Sequence, residues 1–169
     1  AVSYYPSYVE EEAIHAVDET IPVKAITAYV YEEFLQNLNK DFAKREGLLF
    51  VGGFAHPPNA DAVLWFAKEV FPKIREQIKV NFYIVGSKVT DEIKALEQPG
   101  NGIIVKGFVS EEELADLYRN CRIVVVPLRY GAGVKGKVVE AIYNGAPIVT
   151  TSVGSEGIPD VEKVLLVKD

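Results

Sequence analysis

Residues 123–151 read IVVVPLRYGAGVKGKVVEAIYNGAPIVTT, and this stretch decides the fold class of the chain. A β-branched run is followed by a glycine-rich loop, by an amphipathic stretch that stops at Gly145, and by a second β-branched run. This order predicts a strand, a helix and a second strand. Strands that are apolar nearly throughout are typical of a parallel sheet that helices cover on both faces.

The same alternation begins at Leu48 and continues along the chain, which predicts an α/β fold with a Rossmann-like parallel sheet. Ser110 stands three residues before Glu113 and predicts a helix over Glu111–Asn120. Asn59, after two prolines, predicts the N-cap of another helix. The predicted strands are Leu48–Phe54, Asn81–Gly86, Ile103–Val109, Arg122–Leu128, Ala146–Ser152 and Val164–Val167.

Residues 1–47 differ in character from the alternating region. They contain an acidic helical stretch over Tyr8–Glu19, a strand-like run over Val23–Tyr29 and a second helical stretch over Glu32–Arg45. We interpret them as a linker and flanking elements of a larger protein, and residues 48–169 as one domain. The chain contains no methionine and ends on a predicted strand without a closing helix, so we expect it to be a piece of a longer chain.

The composition is that of a folded soluble domain, with 49% hydrophobic and 25% charged residues in 169. We find no apolar run near the roughly 18 residues that a membrane span needs and no signal peptide, and we expect a cytoplasmic location. A net charge of -6 argues against nucleic acid as a partner. Cys121 is the single cysteine, which excludes an internal disulfide and a cysteine-rich zinc site.

The glycine-rich loop matches two nucleotide signatures, since residues 131–136 read G-x-G-x-x-G and residues 131–137 read G-x-x-x-x-G-K. A P-loop needs Ser or Thr next, to hold magnesium, and the chain has Val138. A dinucleotide fingerprint belongs to the first βα turn, whereas three βα units precede this loop. The acid about twenty residues on, Glu156, lies beyond the next predicted strand. An NAD-binding dehydrogenase domain stays an alternative.

Charge in the loop favours a phosphate ligand. Arg129, Lys135 and Lys137 place three positive charges within nine residues that contain no acid. They lie where a strand ends and a helix begins, which favours an anion. Glu140 lies one turn into the helix, and a carboxylate there suits a pair of hydroxyls such as those of a ribose. These residues predict a nucleoside diphosphate site; a non-catalytic interaction module, with incidental lysines, is the second alternative.

Three blocks of the sequence resemble the carboxyl-terminal domain of the family-four, or group one, glycosyltransferases of GT-B fold. The blocks are FVGGFAHPPNADAVLWF, VKGFVSEEELADLYRNCRIVVVPL and PLRYGAGVKGKVVEAIYNGAPIVTTSVGSEGI, and the resemblance spans roughly residues 21 to 167. It implies a domain that binds a nucleotide-sugar donor and follows an acceptor domain. It also implies a retaining transfer to a glycan or a lipid-linked acceptor, without a metal or other cofactor. Any peripheral membrane association would reside in the acceptor domain.

The family motif is a Glu, seven residues and a second Glu. Glu140 matches the second, which implies contact with the ribose, whereas the first falls at Ala132 and is absent. A subgroup with a G-x-G followed by basic residues is closer to this chain. We therefore expect the backbone amides of Gly131, Ala132, Gly133 and Val134 to bind the sugar and the phosphates.

The resemblance also assigns the remaining site residues. The family's basic pair usually follows the first strand, but this loop has Gly52 and Gly53 and no such pair. We expect Lys135 and Lys137 to act as the catalytic cations instead, with Arg129 behind them, by stabilising the charge of the departing diphosphate. The two glycines would let the first loop approach the diphosphate. The residues that we expect at the base are Phe108 and Val109.

Overall fold

A computed structural model of the chain describes residues 1–27, 29–31, 35, 38 and 41–169. Within that part, the chain forms a sheet of two strands and a sheet of six. The strands are β1 (Ser3–Tyr5), β2 (Val23–Ala25), β3 (Leu48–Val51), β4 (Phe82–Val85), β5 (Ile103–Gly107), β6 (Ile123–Val126), β7 (Ile148–Thr150) and β8 (Leu166–Val167). The helices are α1 (Tyr8–Val17), α2 (Pro57–Trp65), α3 (Phe71–Gln77), α4 (Asp91–Lys94), α5 (Glu111–Asn120), α6 (Gly136–Tyr143), α7 (Ser152–Ser155) and α8 (Val161–Val164).

The six-stranded sheet has the order β5-β4-β3-β6-β7-β8, and every neighbouring pair is parallel. From β3 the chain moves outward to β5, then returns to place β6 on the other side of β3 and moves outward again to β8. Because parallel crossovers are right-handed, the two halves put their helices on opposite faces. The predicted α/β sheet is confirmed, and its topological switch point lies between β3 and β6.

All six predicted strands of this sheet are present, each shorter than its predicted range. Their centres are apolar because both faces are covered: Phe50, Phe82, Ile84, Val124 and Val126 are fully buried. The residues predicted at the carboxyl ends of β3 and β6 instead leave the sheet as loops. These loops are the part of the fold that builds the candidate site.

Helix α2 begins earlier than predicted. His56 is its N-cap, and Pro57 and Pro58 occupy its first turn, where a fixed φ and a missing N–H are tolerated. The prediction that Asn59 caps this helix is therefore wrong. A π-helical turn over Phe66–Val70 joins α2 to α3.

The helix Glu111–Asn120 has the predicted bounds. The Ser110 hydroxyl accepts a hydrogen bond from the Glu113 amide at 3.2 Å, as its position before the acidic turn predicts. The Glu113 carboxylate accepts a hydrogen bond from the side chain of Lys106, with 2.7 Å between Nζ and Oε1.

Near the amino terminus, β1 and β2 pair in parallel and α1 connects them. The predicted helix over Tyr8–Glu19 and the predicted strand over Val23–Tyr29 are present in shorter form. The predicted second helix, over residues 32–45, lies largely outside the described residues; of its described part, Phe42–Lys44 forms a 3-10 turn. The boundary at residue 48 stays a prediction. In the described part of the chain, no helix has the length and apolarity to cross a membrane.

Candidate functional site

The candidate site lies at the switch point, where the loops after β3 and β6 open side by side. Ligands of doubly wound sheets bind at this place, outside the carboxyl ends of the strands. Two side-chain contacts connect the halves here: Asn59 with Lys137, and Asp61 with Arg129. Residues 68 or more positions apart in sequence thus form one cluster.

Lys137, the second residue of α6, is partly buried within this cluster. Its Nζ donates a hydrogen bond to Asn59 Oδ1 and lies 4.7 Å from the centre of the Phe50 ring. Burial lowers the pKa of Lys137 to about 8; the nearby charge of Lys135 acts in the same direction, and Glu140 opposes them. Within the described residues, no carboxylate comes within ion-pair distance of its Nζ.

Asn59 fixes the first loop against Lys137. The residue is 8% exposed, and its Nδ2 donates to the Gly53 carbonyl at 2.9 Å. A Cβ at Gly52 would lie 2.9 Å from Asn59 Cγ and 3.0 Å from Lys137 Nζ, so glycine is needed for this close approach. Sequence reasoning assigned Asn59 to a cap and missed this role, because its partner follows 78 residues later.

The other two predicted cations have carboxylate partners. Lys135 Nζ donates to the Gly133 carbonyl and lies 3.4 Å from Glu156 Oε2. Arg129 donates two hydrogen bonds to the Asp61 carboxylate, one of them from Nε to Oδ2 at 2.9 Å. Its guanidinium lies 5.6 Å from the centre of the Trp65 ring. The structure thus brings Lys135 to the loop beside Lys137 and directs Arg129 toward α2.

Glu140 lies one turn beyond Lys137 on α6, as the sequence predicts. Its Oε2 accepts a hydrogen bond at 3.1 Å from the hydroxyl of Tyr118, a side chain of α5 that is 1% exposed. Burial is the main cause that raises the pKa of Tyr118, and the negative charge of Glu140 adds to it. Tyr118 therefore remains a neutral donor that orients the carboxylate. No sequence pattern indicated this pair.

The glycine loop after β6 exposes its backbone. Gly131 and Ala132 are exposed, and Gly133 has φ +78°, a conformation that favours glycine. Helix α6 begins at Gly136, and the side chain of its N-cap residue, Lys135, does not cap it. A Cβ at Gly133 would lie 3.0 Å from the carboxylate of Glu10, so α1 reaches this loop. The loop combines exposed amides with an uncapped helix end, an arrangement that favours an anion.

The residues predicted to contact the nucleotide base lie farther from the switch point than the cations do. Phe108 and Val109 follow β5, which β4 separates from β3, so they stand about 10 Å from β3 along the carboxyl ends of the strands. Phe108 is 81% exposed, whereas Val109 is partly buried against the core. Among the described residues, no group of three or more His, Cys, Asp or Glu side chains is placed to hold a metal ion.

Comparison with known proteins identifies the family of this chain. A family model described as "Glycosyl transferases group 1" matches residues 45–169. An "Uncharacterized 44.6 kDa protein in cps region" of Klebsiella pneumoniae is 33% identical over 136 residues, which cover 76% of this chain and 33% of that protein. The chain thus spans about one third of that relative.

Solved glycosyltransferase structures share the fold. A mutant of S. aureus TarM in complex with UDP is 18% identical with a TM-score of 0.76, over 99% of this chain and 34% of that one. The pneumococcal O-GlcNAc transferase GtfA, in complex with UDP and GlcNAc, is 21% identical with a TM-score of 0.69, over 98% of this chain and 33% of that one. Sucrose-phosphate synthase from Thermosynechococcus elongatus is 20% identical with a TM-score of 0.72, over 97% of this chain and 44% of that one. The predicted resemblance is confirmed, and the chain belongs to the group 1 glycosyltransferases, with the Rossmann-like fold of their GT-B members.

Proposed function

We propose that this chain is the donor-binding half of a glycosyltransferase that moves a sugar from a nucleoside diphosphate to an acceptor. One observation carries the proposal: the ammonium of Lys137 lies at the switch point, beside the uncapped amino end of α6, without a carboxylate partner among the described residues. A partly buried cation without a carboxylate partner, next to exposed amides, is suited to a diphosphate.

The donor would lie across the carboxyl edge of the sheet. Lys137, Lys135 and the loop amides of residues 131–134 would hold the diphosphate, and Gly52 and Gly53 would let it approach β3. Glu140, oriented by Tyr118, would accept hydrogen bonds from the ribose hydroxyls. The base would extend toward the exposed ring of Phe108 and toward Val109. UDP in the TarM and GtfA complexes supports this ligand class.

In the transfer, the bond between the anomeric carbon and the β-phosphate oxygen breaks. Negative charge then grows on the departing diphosphate, and Lys137 and Lys135 would stabilise it by fixed positive charge. The acceptor hydroxyl forms the new bond and loses its proton to a base that belongs to the acceptor domain. Retention of configuration, independence from metal ions and a glycan or lipid-linked acceptor are parts of this proposal.

Calorimetric titration with UDP, GDP, ADP and NAD tests it. We expect one diphosphate to bind, and Lys137→Ala and Glu140→Ala each to weaken it about tenfold or more, since a charge-assisted hydrogen bond contributes about 1.5–3 kcal/mol. Lys73→Ala and Glu76→Ala, at exposed positions of α3, are matched controls and should bind as the original chain does.

Two results would contradict the proposal. Binding of NAD alone would favour a dehydrogenase domain. No binding of any of the four, either by this chain or by the full-length protein that contains it, would favour a non-catalytic interaction module.

A further inference from the structure

We propose that Asn59 is a positioning residue that holds the Lys137 ammonium at the switch point without neutralising it. The inference rests on the proposed function, because it assumes that Lys137 meets the diphosphate. The family's basic pair usually follows the first strand and is absent here. In this chain, the segment after β3 would instead contribute by positioning the cation of Lys137.

The orientation of the Asn59 amide follows from its hydrogen bonds. Nδ2 donates to the Gly53 carbonyl at 2.9 Å, and only the amide nitrogen can make that bond. The amide oxygen must therefore face the other way, where it accepts from Lys137 Nζ. Asn59 is buried in the first turn of α2, behind Pro57 and Pro58, so the acceptor has little freedom to move.

The chemistry of the partner separates Lys137 from its neighbours. Glu156 accompanies Lys135, and Asp61 accompanies Arg129, so a carboxylate compensates each of these charges. An amide oxygen is neutral: it fixes the direction of the ammonium and leaves its charge available to a ligand. An aspartate at position 59 would have nearly the same shape, but it would form a buried ion pair that a diphosphate must disrupt.

Few charged groups face Lys137. Lys135 and Glu140 lie on its own segment, whereas β3 presents the Phe50 ring and α2 presents the Asn59 amide. Burial disfavours the ammonium and brings its pKa to about 8, so a hydrogen bond that favours the charged form matters near neutral pH. Diphosphate binding should weaken as the pH rises through this value.

The test compares Asn59→Asp and Asn59→Ala with Asn101→Asp. Asn101 makes the same kind of paired hydrogen bonds: its side chain donates to the Leu96 carbonyl and accepts from the Ile103 amide. It precedes β5 and so lies at the amino ends of the strands, away from the candidate site. Each protein is titrated with inorganic pyrophosphate, as a probe without a base, and with UDP, GDP and ADP. Each titration is repeated from pH 6.5 to 9.5, and circular dichroism monitors folding.

At pH 7 we expect Asn59→Asp to weaken binding about tenfold or more, Asn59→Ala about threefold to tenfold, and Asn101→Asp less than twofold. The pH at which binding falls should be lowest in Asn59→Ala and highest in Asn59→Asp. In a Lys137→Ala background, Asn59→Asp should have little further effect, because the two residues act through one contact.

Equal affinity of Asn59→Asp and the original chain, or the same pH midpoint in all variants, would overturn the inference. An equal loss of binding affinity on Asn59→Asp in the original chain and in the Lys137→Ala background would also overturn it. Should Asn59→Asp fail to fold, the affinity and pH midpoint of Asn59→Ala decide. If neither the original chain nor the full-length protein that contains it binds any of the probes, the proposed function itself fails. Normal binding by the original chain together with unchanged binding by the Asn59 variants removes only the role of Asn59.

Discussion

Replacement of Lys137 by methionine should stabilise this chain while it removes diphosphate binding. Lys137 is a partly buried cation: among the described residues its Nζ donates to one amide oxygen, Asn59 Oδ1, and lies against the Phe50 ring. Methionine has a similar length and no charge, so it fills the same space without the desolvation penalty. Residues arranged for ligand binding commonly reduce stability in this way.

The magnitude follows from the lysine pKa. Its fall from 10.5 to about 8 corresponds to about 3 kcal/mol of unfavourable free energy for the charged form, at about 1.4 kcal/mol per pH unit. Loss of the hydrogen bond to Asn59 offsets about 1 kcal/mol of that gain. We therefore expect Lys137→Met to be more stable by about 2 kcal/mol at pH 7.

The sign of the pH dependence provides a second test. The folded pKa lies below the unfolded one, so between pH 8 and 10.5 the unfolded chain binds more protons at this residue than the folded chain. The penalty is therefore complete below pH 8 and disappears as the pH rises toward 10.5. The advantage of Lys137→Met should shrink over the same interval.

Urea unfolding at pH 7 and at pH 10 measures both effects. With a slope of about 2 kcal/mol per molar urea, the midpoint of Lys137→Met should rise by about 1 M at pH 7 and by much less at pH 10. Lys73→Met, at an exposed position of α3, is the control and should change the midpoint little. A Lys137→Met variant that is less stable at pH 7, or whose advantage does not vary with pH, would refute this reasoning.

Three further predictions concern other contacts of the site. Tyr118→Phe removes the donor to Glu140 and should weaken nucleotide binding about fivefold in calorimetry, with pyrophosphate binding unchanged; an equal loss for pyrophosphate would contradict it. Gly52→Ala should weaken pyrophosphate binding about tenfold, because its Cβ would displace Asn59 and Lys137, and unaltered binding would show that the close approach is not needed. Asp61→Asn removes a partly exposed ion pair and should lower the free energy of unfolding by less than about 1 kcal/mol in urea titrations; a loss above 2 kcal/mol would mean that the pair organises α2.

The sheet could be predicted because its signals are local. Parallel strands covered on both faces must be apolar, and runs such as those around Phe50 and Val124 have that character in the sequence. Ser110 likewise indicates the start of its helix by its distance from Glu113. The strand ends were predicted too long because apolar residues such as Phe54 and Leu128 continue into buried loops.

The partners within the site could not be predicted, because the topology rather than the local pattern brings them together. Asn59 reads as a cap after two prolines, and only the return of the chain from β5 to β6 places Lys137 against it. The same return pairs Arg129 with Asp61 across 68 positions. The sequence thus indicated which loop carries the positive charge, and the fold determines which of its cations lacks a carboxylate partner among the described residues.

The central claim is that the loops at the switch point bind a nucleoside diphosphate. Amide-detected NMR titration of the labelled chain with UDP, GDP and ADP tests it most directly. The account predicts saturable shifts for one of them, largest at Gly52, Gly53 and residues 131–137, with the amides of Gly100 and Gly102, at the amino ends of the strands, unchanged. Shifts centred on the amino ends of the strands, or no saturable shifts with any of the three, would contradict it.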